Sequence, residues 1–142
     1  MNKLDLQYLA GLIDSRGSLI CQKVMQPLGK NHNYLPMMSF HSKDSRRSKL
    51  IAKIFDMEES NNLQLGKKRT IELLKLVYPY LRYRKQQVKR LLELEDTRLN
   101  AHRVGKNKAE IAQPSLQRMD RLYNEFLTLR NFRNDQELEF NE

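Results

Sequence analysis

Clusters of basic side chains are the residues of this 142-residue sequence best suited to binding chemistry. One cluster places five cations around Tyr83: Arg82, Arg84, Lys85, Lys89 and Arg90. A second, Lys67-Lys68-Arg69, follows Gly66 directly. Guanidinium and ammonium groups neutralise phosphates. The first cluster therefore favours contact with a nucleic-acid backbone, and the second suits a phosphate clamp, although three cations in a turn are as often simply solvated.

The net charge indicates the same class of partner. The chain carries 26 Lys and Arg against 17 Asp and Glu, a net charge of +9. Residues 1–90 hold 18 of the cations and 7 of the acids, whereas residues 91–142 hold 8 and 10. A basic surface in the first two thirds favours nucleic acid ahead of an anionic membrane surface or a merely solvated basic face. Such attraction gives affinity without sequence preference.

Composition limits the remaining possibilities. An apolar content of 39% supports a modest core, and this length predicts one domain over 1–131 with an acidic tail at 132–142. No apolar run approaches the ~18 residues of a membrane span, and the first residues do not form a secretory signal. We therefore expect an intracellular protein, in the cytoplasm, at a nucleoid, or in a chloroplast or mitochondrion. One cysteine, Cys21, and three histidines leave no internal disulfide or structural zinc site.

Hydrophobic periodicity predicts the elements that position these residues. A helix over 4–15 carries one apolar stripe through Leu9 and Ile13 and a second through Tyr8 and Leu12. A strand, a loop and a return strand follow, at 18–25, 26–34 and 35–41. Asp44 or Ser45 starts the next helix, which ends near Asp56, and a short strand follows at 63–65.

The second half is predicted to be mainly helical. Residues 66–68 form a basic turn, and residues 70–72 fit either a return strand or the first turn of a helix. Helix then extends to Glu95 with a break at Pro79, because proline lacks an N–H donor. A polar linker covers 100–113, and Pro114 opens a last helix with an apolar stripe.

The segment Leu9-Ala10-Gly11-Leu12-Ile13-Asp14-Ser15-Arg16-Gly17 resembles the signature of the LAGLIDADG homing endonucleases. Its first six residues and its final glycine match, on a predicted helix that a strand follows directly. The resemblance implies an α+β fold of αββαββα order, here with extra C-terminal helices and a shortened second hairpin. It also implies a symmetric homodimer on a roughly palindromic double-stranded DNA site, because the chain carries one motif.

The same resemblance places the first helices of two subunits against each other. Small residues let the two backbones approach closely. The expected dimer interface consists of Tyr8, Ala10, Gly11, Leu12 and Ser15. A helix that is apolar on two faces, in a chain too small to bury both, indicates that one face meets another copy or another domain.

The sequence departs from the family at the catalytic position. The resemblance implies a Mg²⁺-binding acid directly before the final glycine of the motif, where this chain has Arg16. A guanidinium offers no oxygen ligand, and its charge repels the ion. Asp14 is the remaining candidate metal ligand and catalytic acid, although two residues along a helix turn a side chain by about 200°. The other catalytic candidates are Ser42, which would orient water, and Arg46 and Arg84, which would steady phosphate charge.

The resemblance also lays the hairpin along the major groove, with alternate side chains directed at the bases. The expected DNA-binding residues are Arg16, Gln22, Gln26, Lys30, Ser39, His41, Lys43, Arg47, Arg82 and Lys85. The same alternation places Lys23 on the core side, which is unfavourable unless a bulge or an edge position relieves it.

Three functions stay open on the sequence alone. The favoured one is a DNA-binding protein with weakened or lost cleavage, since Arg16 can contact a phosphate itself. The alternatives are an active endonuclease that makes double-strand breaks with Mg²⁺, and an RNA-binding helper of group I intron splicing. Mg²⁺ is an expected cofactor only if cleavage survives, and composition does not separate DNA from folded RNA.

Overall fold

The structure is a computed structural model that describes residues 1–25, 32–104 and 113–131. Its elements are α1 (Lys3–Ser15), β1 (Ser18–Met25), β2 (His32–His41), α2 (Ser45–Phe55), β3 (Asn62–Leu65), α3 (Lys67–Val77), a 3₁₀ turn (Tyr78–Tyr80), α4 (Lys85–Val104) and α5 (Gln113–Asn131). The three strands form one sheet in the order β1-β2-β3. This architecture confirms the predicted α+β class.

The chain divides into two compact units. Unit 1 consists of Met1–Ile20 and Pro36–Arg82, and unit 2 consists of Cys21–Leu35 and Tyr83–Glu142. The tail at 132–142, the hairpin tip at 26–31 and the segment 105–112 lie outside the described residues. Within the described ranges, no helix combines the length and the apolarity needed to cross a membrane.

In unit 1, helices cover one face of the sheet. Met38 pairs with Leu65 and Phe40 with Leu63 across the antiparallel β2–β3 ladder, and all four side chains are buried. On this face the ring of Phe55, from α2, lies 5.7 Å from the ring of Phe40. Because side chains alternate along a strand, the residues between these pairs point to the opposite, uncovered face.

The start of α1 and its end are both fixed locally. The side chain of Asn2 accepts a hydrogen bond from the N–H of Asp5 (2.8 Å), which caps the helix. At the other end, the N–H groups of Arg16 and Gly17 both donate to the carbonyl of Leu12. A Cβ at position 17 would lie 2.8 Å from the Cα of Ile13, so only glycine lets the chain leave the helix this closely.

We expect Gly17→Ala to lower the free energy of unfolding by about 1–3 kcal/mol, the usual cost of forcing atoms into a packed site. The clash involves backbone atoms of Ile13, which cannot rotate away as a side chain would. Urea denaturation followed by circular dichroism measures the effect. Gly66→Ala is the control without a clash, because a Cβ there meets nothing within 4 Å and only the N-cap preference for glycine is lost. Equal losses at the two positions would contradict the steric argument.

Asp44 caps α2 as expected, accepting from the N–H of Arg46 at 2.9 Å. The region after α2 differs from the prediction. The predicted basic turn at 66–68 is wrong, because Gly66 is the N-cap of α3 and residues 67–69 form its first turn. The open choice at 70–72 is settled as helix, since Thr70, Ile71, Leu74 and Val77 are all buried at helical spacing. The structure therefore has a single strand, β3, at the place where a shortened second hairpin was predicted.

Unit 2 is built on the packing of α4 against α5. Both helices contribute fully apolar, buried stripes: Val88, Leu91 and Leu94 from α4, and Met119, Leu122 and Phe126 from α5. The predicted break at Pro79 is confirmed by the 3₁₀ turn, and Pro114 lies in the first turn of α5 as expected. The predicted linker begins too early, because α4 continues to Val104.

Candidate nucleic-acid interface

In unit 1, the uncovered face of the sheet carries two cross-strand pairs of polar residues. Ser39 lies opposite Gln64, and His41 lies opposite Asn62. Gln64, His41 and Asn62 are exposed and Ser39 is half-buried. Amide, hydroxyl and imidazole groups are the side chains that hydrogen-bond base edges in the major groove. Four such groups, on a sheet face that no helix of unit 1 covers, form a surface suited to reading a duplex.

Two of these four residues were not predicted from the sequence. Ser39 and His41 were predicted, whereas Gln64 and Asn62 were not. The alternation of Leu63, Gln64 and Leu65 already indicated that Gln64 points away from the core. The sequence could not show that β3 pairs with the end of β2, which places these residues beside Ser39 and His41.

In unit 2, the outer part of β1 follows the predicted alternation only in part. Gln22 and Val24 are exposed and Cys21 is buried, as predicted, whereas Lys23, which was predicted on the core side, is exposed as well. Gln22 therefore lies on the side expected to face the bases. Gln26 and Lys30, which were also expected to contact DNA, lie outside the described residues.

The C-terminal end of α1 presents a cation and withdraws its carboxylate. Arg16 is exposed at the C-cap of the helix. Asp14 is half-buried, and its Oδ2 accepts a hydrogen bond from the backbone N–H of Arg82 at 2.8 Å. This bond ties α1 to the segment after the 3₁₀ turn, within unit 1. The side chain of Arg82 itself is exposed.

Of the four residues predicted for the site at the end of β2 and the start of α2, three reach the surface and one is buried. Lys43 and Arg46 are exposed and Arg47 is half-buried. Ser42 is only 4% exposed, and its hydroxyl both accepts from the N–H of Asp44 (3.2 Å) and donates to the carbonyl of Asp44 (3.3 Å). These bonds form the turn that starts α2, which argues against a water-orienting role for Ser42.

The predicted basic residues of unit 2 lie at the start of α4. Arg84 and Lys85 are half-buried, and both have interaction partners in the protein. The next residue, Gln86, is buried and accepts a hydrogen bond from the guanidinium of Arg90. Arg84 and Lys85 lie at the beginning of the long helix α4. The positive N-terminus of this helix adds to their attraction for phosphate.

The residues predicted to form a dimer face on α1 differ in exposure. Gly11 and Ser15 are exposed, Tyr8 and Leu12 are half-buried, and a Cβ at Gly11 would meet nothing within 4 Å. The assignment of Ala10 is wrong, because Ala10 is 0% exposed and packs inside its own subunit.

A further exposed apolar residue of α1, Leu4, was not predicted. Leu4 is 74% exposed, the highest value among the large apolar residues described. It precedes Tyr8 by one helical turn on the same stripe. The predicted second apolar stripe began at Tyr8, although the helical spacing already extended it to Leu4.

Comparison with known proteins gives a consistent result on the fold alone. No protein-family model and no curated sequence matches the chain. Among solved structures, the archaeal intron-encoded homing endonuclease I-Vdi141I complexed with DNA superposes with a TM-score of 0.65 at 16% identity, over 88% of this chain and 83% of that one. The homing endonuclease I-CvuI, in complex with the I-CreI target, gives 0.55 at 17% identity, over 84% and 95%. The chain has the LAGLIDADG homing-endonuclease fold.

The homing-endonuclease fold here lacks a set of ligands suited to Mg²⁺ at the end of α1. Arg16 occupies the position of the expected acid, and the Oδ2 atom of Asp14 is engaged by the amide of Arg82. Among the described residues, no three His, Cys, Asp or Glu side chains come together as a metal site. Mg²⁺ needs several oxygen ligands in near-octahedral geometry. The residues present therefore fit an anion better than a divalent cation.

Proposed function

We propose that this protein is a homodimeric, sequence-selective double-stranded DNA-binding protein whose metal-dependent cleavage is weakened or lost. The observation that carries the proposal is the uncovered sheet face of unit 1, with its Ser39–Gln64 and His41–Asn62 pairs. Gln64 and Asn62 provide amide groups that can pair with adenine edges. Gln22 of unit 2 supplies a further amide of the same kind. The similar solved structures are homing endonucleases in complex with DNA, which supports the same partner.

Basic side chains of each unit supply affinity for the phosphate backbone. In unit 1 they are Arg16, Lys43, Arg46, Arg47 and Arg82, and in unit 2 they are Arg84 and Lys85. Backbone contacts position a protein on the duplex, and base contacts select the sequence. With one motif in each chain, two subunits related by a two-fold axis would read a roughly palindromic site.

Loss of cleavage follows from the same residues. The guanidinium of Arg16 would bind a backbone phosphate at the place where a catalytic acid would hold a metal ion. Asp14 would keep its structural bond to the amide of Arg82. In this proposal the chain retains the groups that position DNA and lacks the ligand that would bring Mg²⁺ to it.

A random-site selection with purified protein tests the proposal. We expect a palindromic consensus, and an affinity that falls by roughly 10³–10⁵-fold between 50 and 200 mM salt if the dimer makes about six to ten phosphate contacts. The selected duplex is then incubated with the protein in Mg²⁺ and in Mn²⁺. Enrichment of no sequence would overturn sequence-selective binding, and cleavage by the native protein would overturn the loss of activity. Tighter binding to a group I intron transcript than to any duplex would replace DNA by RNA.

Gln64→Ala provides a test at one residue. We expect binding to the selected site to weaken by about 1–3 kcal/mol for each base that Gln64 would read, with relaxed preference at one symmetric pair of positions. Electrophoretic mobility shift with substituted duplexes measures both quantities. Gln117→Ala is the matched control, because Gln117 is an exposed glutamine on α5. A uniform decrease across all duplexes would indicate that Gln64 does not read bases.

A further inference from the structure

In unit 2, the strand β1 carries Lys23 on its inner side, and the last helix, α5, supplies an acidic partner for it. Residues 22, 23 and 24 of β1 are all exposed, and alternation directs the side chain of Lys23 to the face that also holds Cys21. Its Nζ is 3.2 Å from the Oδ1 of Asp120 on α5. The inner position predicted to be unfavourable for Lys23 is thus stabilised by an acid from α5. In the described sheet, β1 is also an edge strand.

Two tyrosines complete this cluster. The Nζ of Lys23 lies 5.9 Å from the ring centre of Tyr34 and 6.0 Å from that of Tyr123, within the range of cation–π attraction. The two rings are 5.2 Å apart and tilted by 47°. The hydroxyl of Tyr34, a residue only 1% exposed, donates to the same Oδ1 of Asp120. Asp120 therefore joins both strands of the hairpin, at Lys23 and at Tyr34, to α5.

This arrangement fixes which side chains of β1 face outwards. A strand has a side-chain period of two, so a slip or twist by one residue would turn Lys23 out and Gln22 in. An edge strand has a hydrogen-bonded neighbour on one side only, and a solvated lysine would stabilise the turned-out arrangement. The attraction of Asp120 and the two rings for the ammonium group opposes that change.

We infer that Asp120 is a positioning residue for DNA recognition. By holding Lys23 on the inner face of β1, it presents Gln22 to the duplex, so α5 takes part in sequence selection without touching a base. The inference rests on the proposed DNA-binding function.

A double-mutant cycle between Asp120 and Gln22 tests the inference. We expect Asp120→Ala to lower affinity for the selected duplex by about tenfold, and Gln22→Ala to have a much smaller effect in the Asp120→Ala background than in the native one. Affinity for unrelated duplexes stays level or rises, because Lys23 becomes available to phosphates. Additive effects at Gln22 and Asp120 would overturn the inference.

Glu125→Ala is the matched control. Glu125 pairs with Arg90 at the same distance, 3.2 Å, and with the same acid exposure, 43%, but it connects α5 to α4 and not to β1. A variant that merely loosens α5 would behave like Glu125→Ala, with reduced stability and an unchanged contribution from Gln22. If both variants weaken the Gln22 contribution equally, the specific role of Asp120 is refuted.

The thiol of Cys21 gives a readout that needs no DNA. Cys21 is 7% exposed and shares the inner side of β1 with Lys23. We expect maleimide to react with it several-fold faster in Asp120→Ala than in the native protein or in Glu125→Ala. Native protein that binds no duplex would overturn the proposed function, yet this reaction rate would still decide whether Asp120 positions β1. Equal rates in all three proteins would overturn the positioning role.

Discussion

Replacing Arg16 with aspartate is expected to make DNA binding dependent on a divalent cation. Without metal, the variant lacks the charge-assisted hydrogen bond from the guanidinium to a phosphate. Each such bond contributes about 1.5–3 kcal/mol, and a dimer has two of them. The variant also places a carboxylate beside that phosphate, and the two negative charges repel each other. Millimolar Ca²⁺ should restore part of the affinity, because a carboxylate and a phosphate together provide oxygen ligands. Fluorescence anisotropy of a labelled duplex, with Ca²⁺ and with EDTA, measures the effect. Native protein should bind equally in both.

Arg16→Gln separates the loss of the cation from the gain of a ligand. It removes the positive charge without adding a carboxylate, so we expect weaker binding that Ca²⁺ does not restore. Native protein that binds more tightly in Ca²⁺ than in EDTA would contradict the assignment of an anion site to this position. Cleavage by Arg16→Asp in Mg²⁺ or Mn²⁺, with none by the native protein, would add that the other groups of the site remain in place.

The motif helix was predictable because its determinants are local. Leu9 and Ile13 follow the helical period and are buried, and Gly17 ends the helix where any side chain would strike Ile13. The alternation of β1 was equally local, since period two alone separates Cys21 from Gln22. The expectation of an anionic partner followed from composition, because net charge depends on a sum and not on an arrangement.

The remaining features depend on pairings between distant segments. Asp14 accepts from the amide of Arg82 across 68 positions of sequence, and nothing near Asp14 in the sequence indicates that bond. Gln64 became a candidate reader only through its register with Ser39. The burial of Ala10 shows a related difficulty: a helix with two apolar stripes does not reveal which small residue belongs to which stripe.

A glutamate at position 4 is expected to dissociate the proposed dimer and to abolish specific DNA binding. In that dimer Leu4, now 74% exposed, would be covered by a second copy of α1. Burying a leucine fully contributes about 1.5–3 kcal/mol, a two-fold interface contains two of them, and a buried carboxylate without a partner adds a further penalty. A separated subunit would hold only half of a palindromic site, so affinity should fall by about 100-fold or more, since linked binding sites raise affinity by about 10²–10⁴. Sedimentation velocity at micromolar concentration and anisotropy measure the two effects.

Leu76→Glu is the control for this result. Leu76 is 50% exposed on α3, so the same exchange there removes a similarly exposed leucine from a helix outside the proposed interface. We expect this variant to remain a dimer with native affinity for DNA. Dissociation by both variants would mean that an added charge, and not the face of α1, determines the oligomeric state. The proposed dimer would be contradicted if the native protein sediments as a single subunit and still selects a palindrome. One uncovered sheet face would then have to read the two half-sites one after the other.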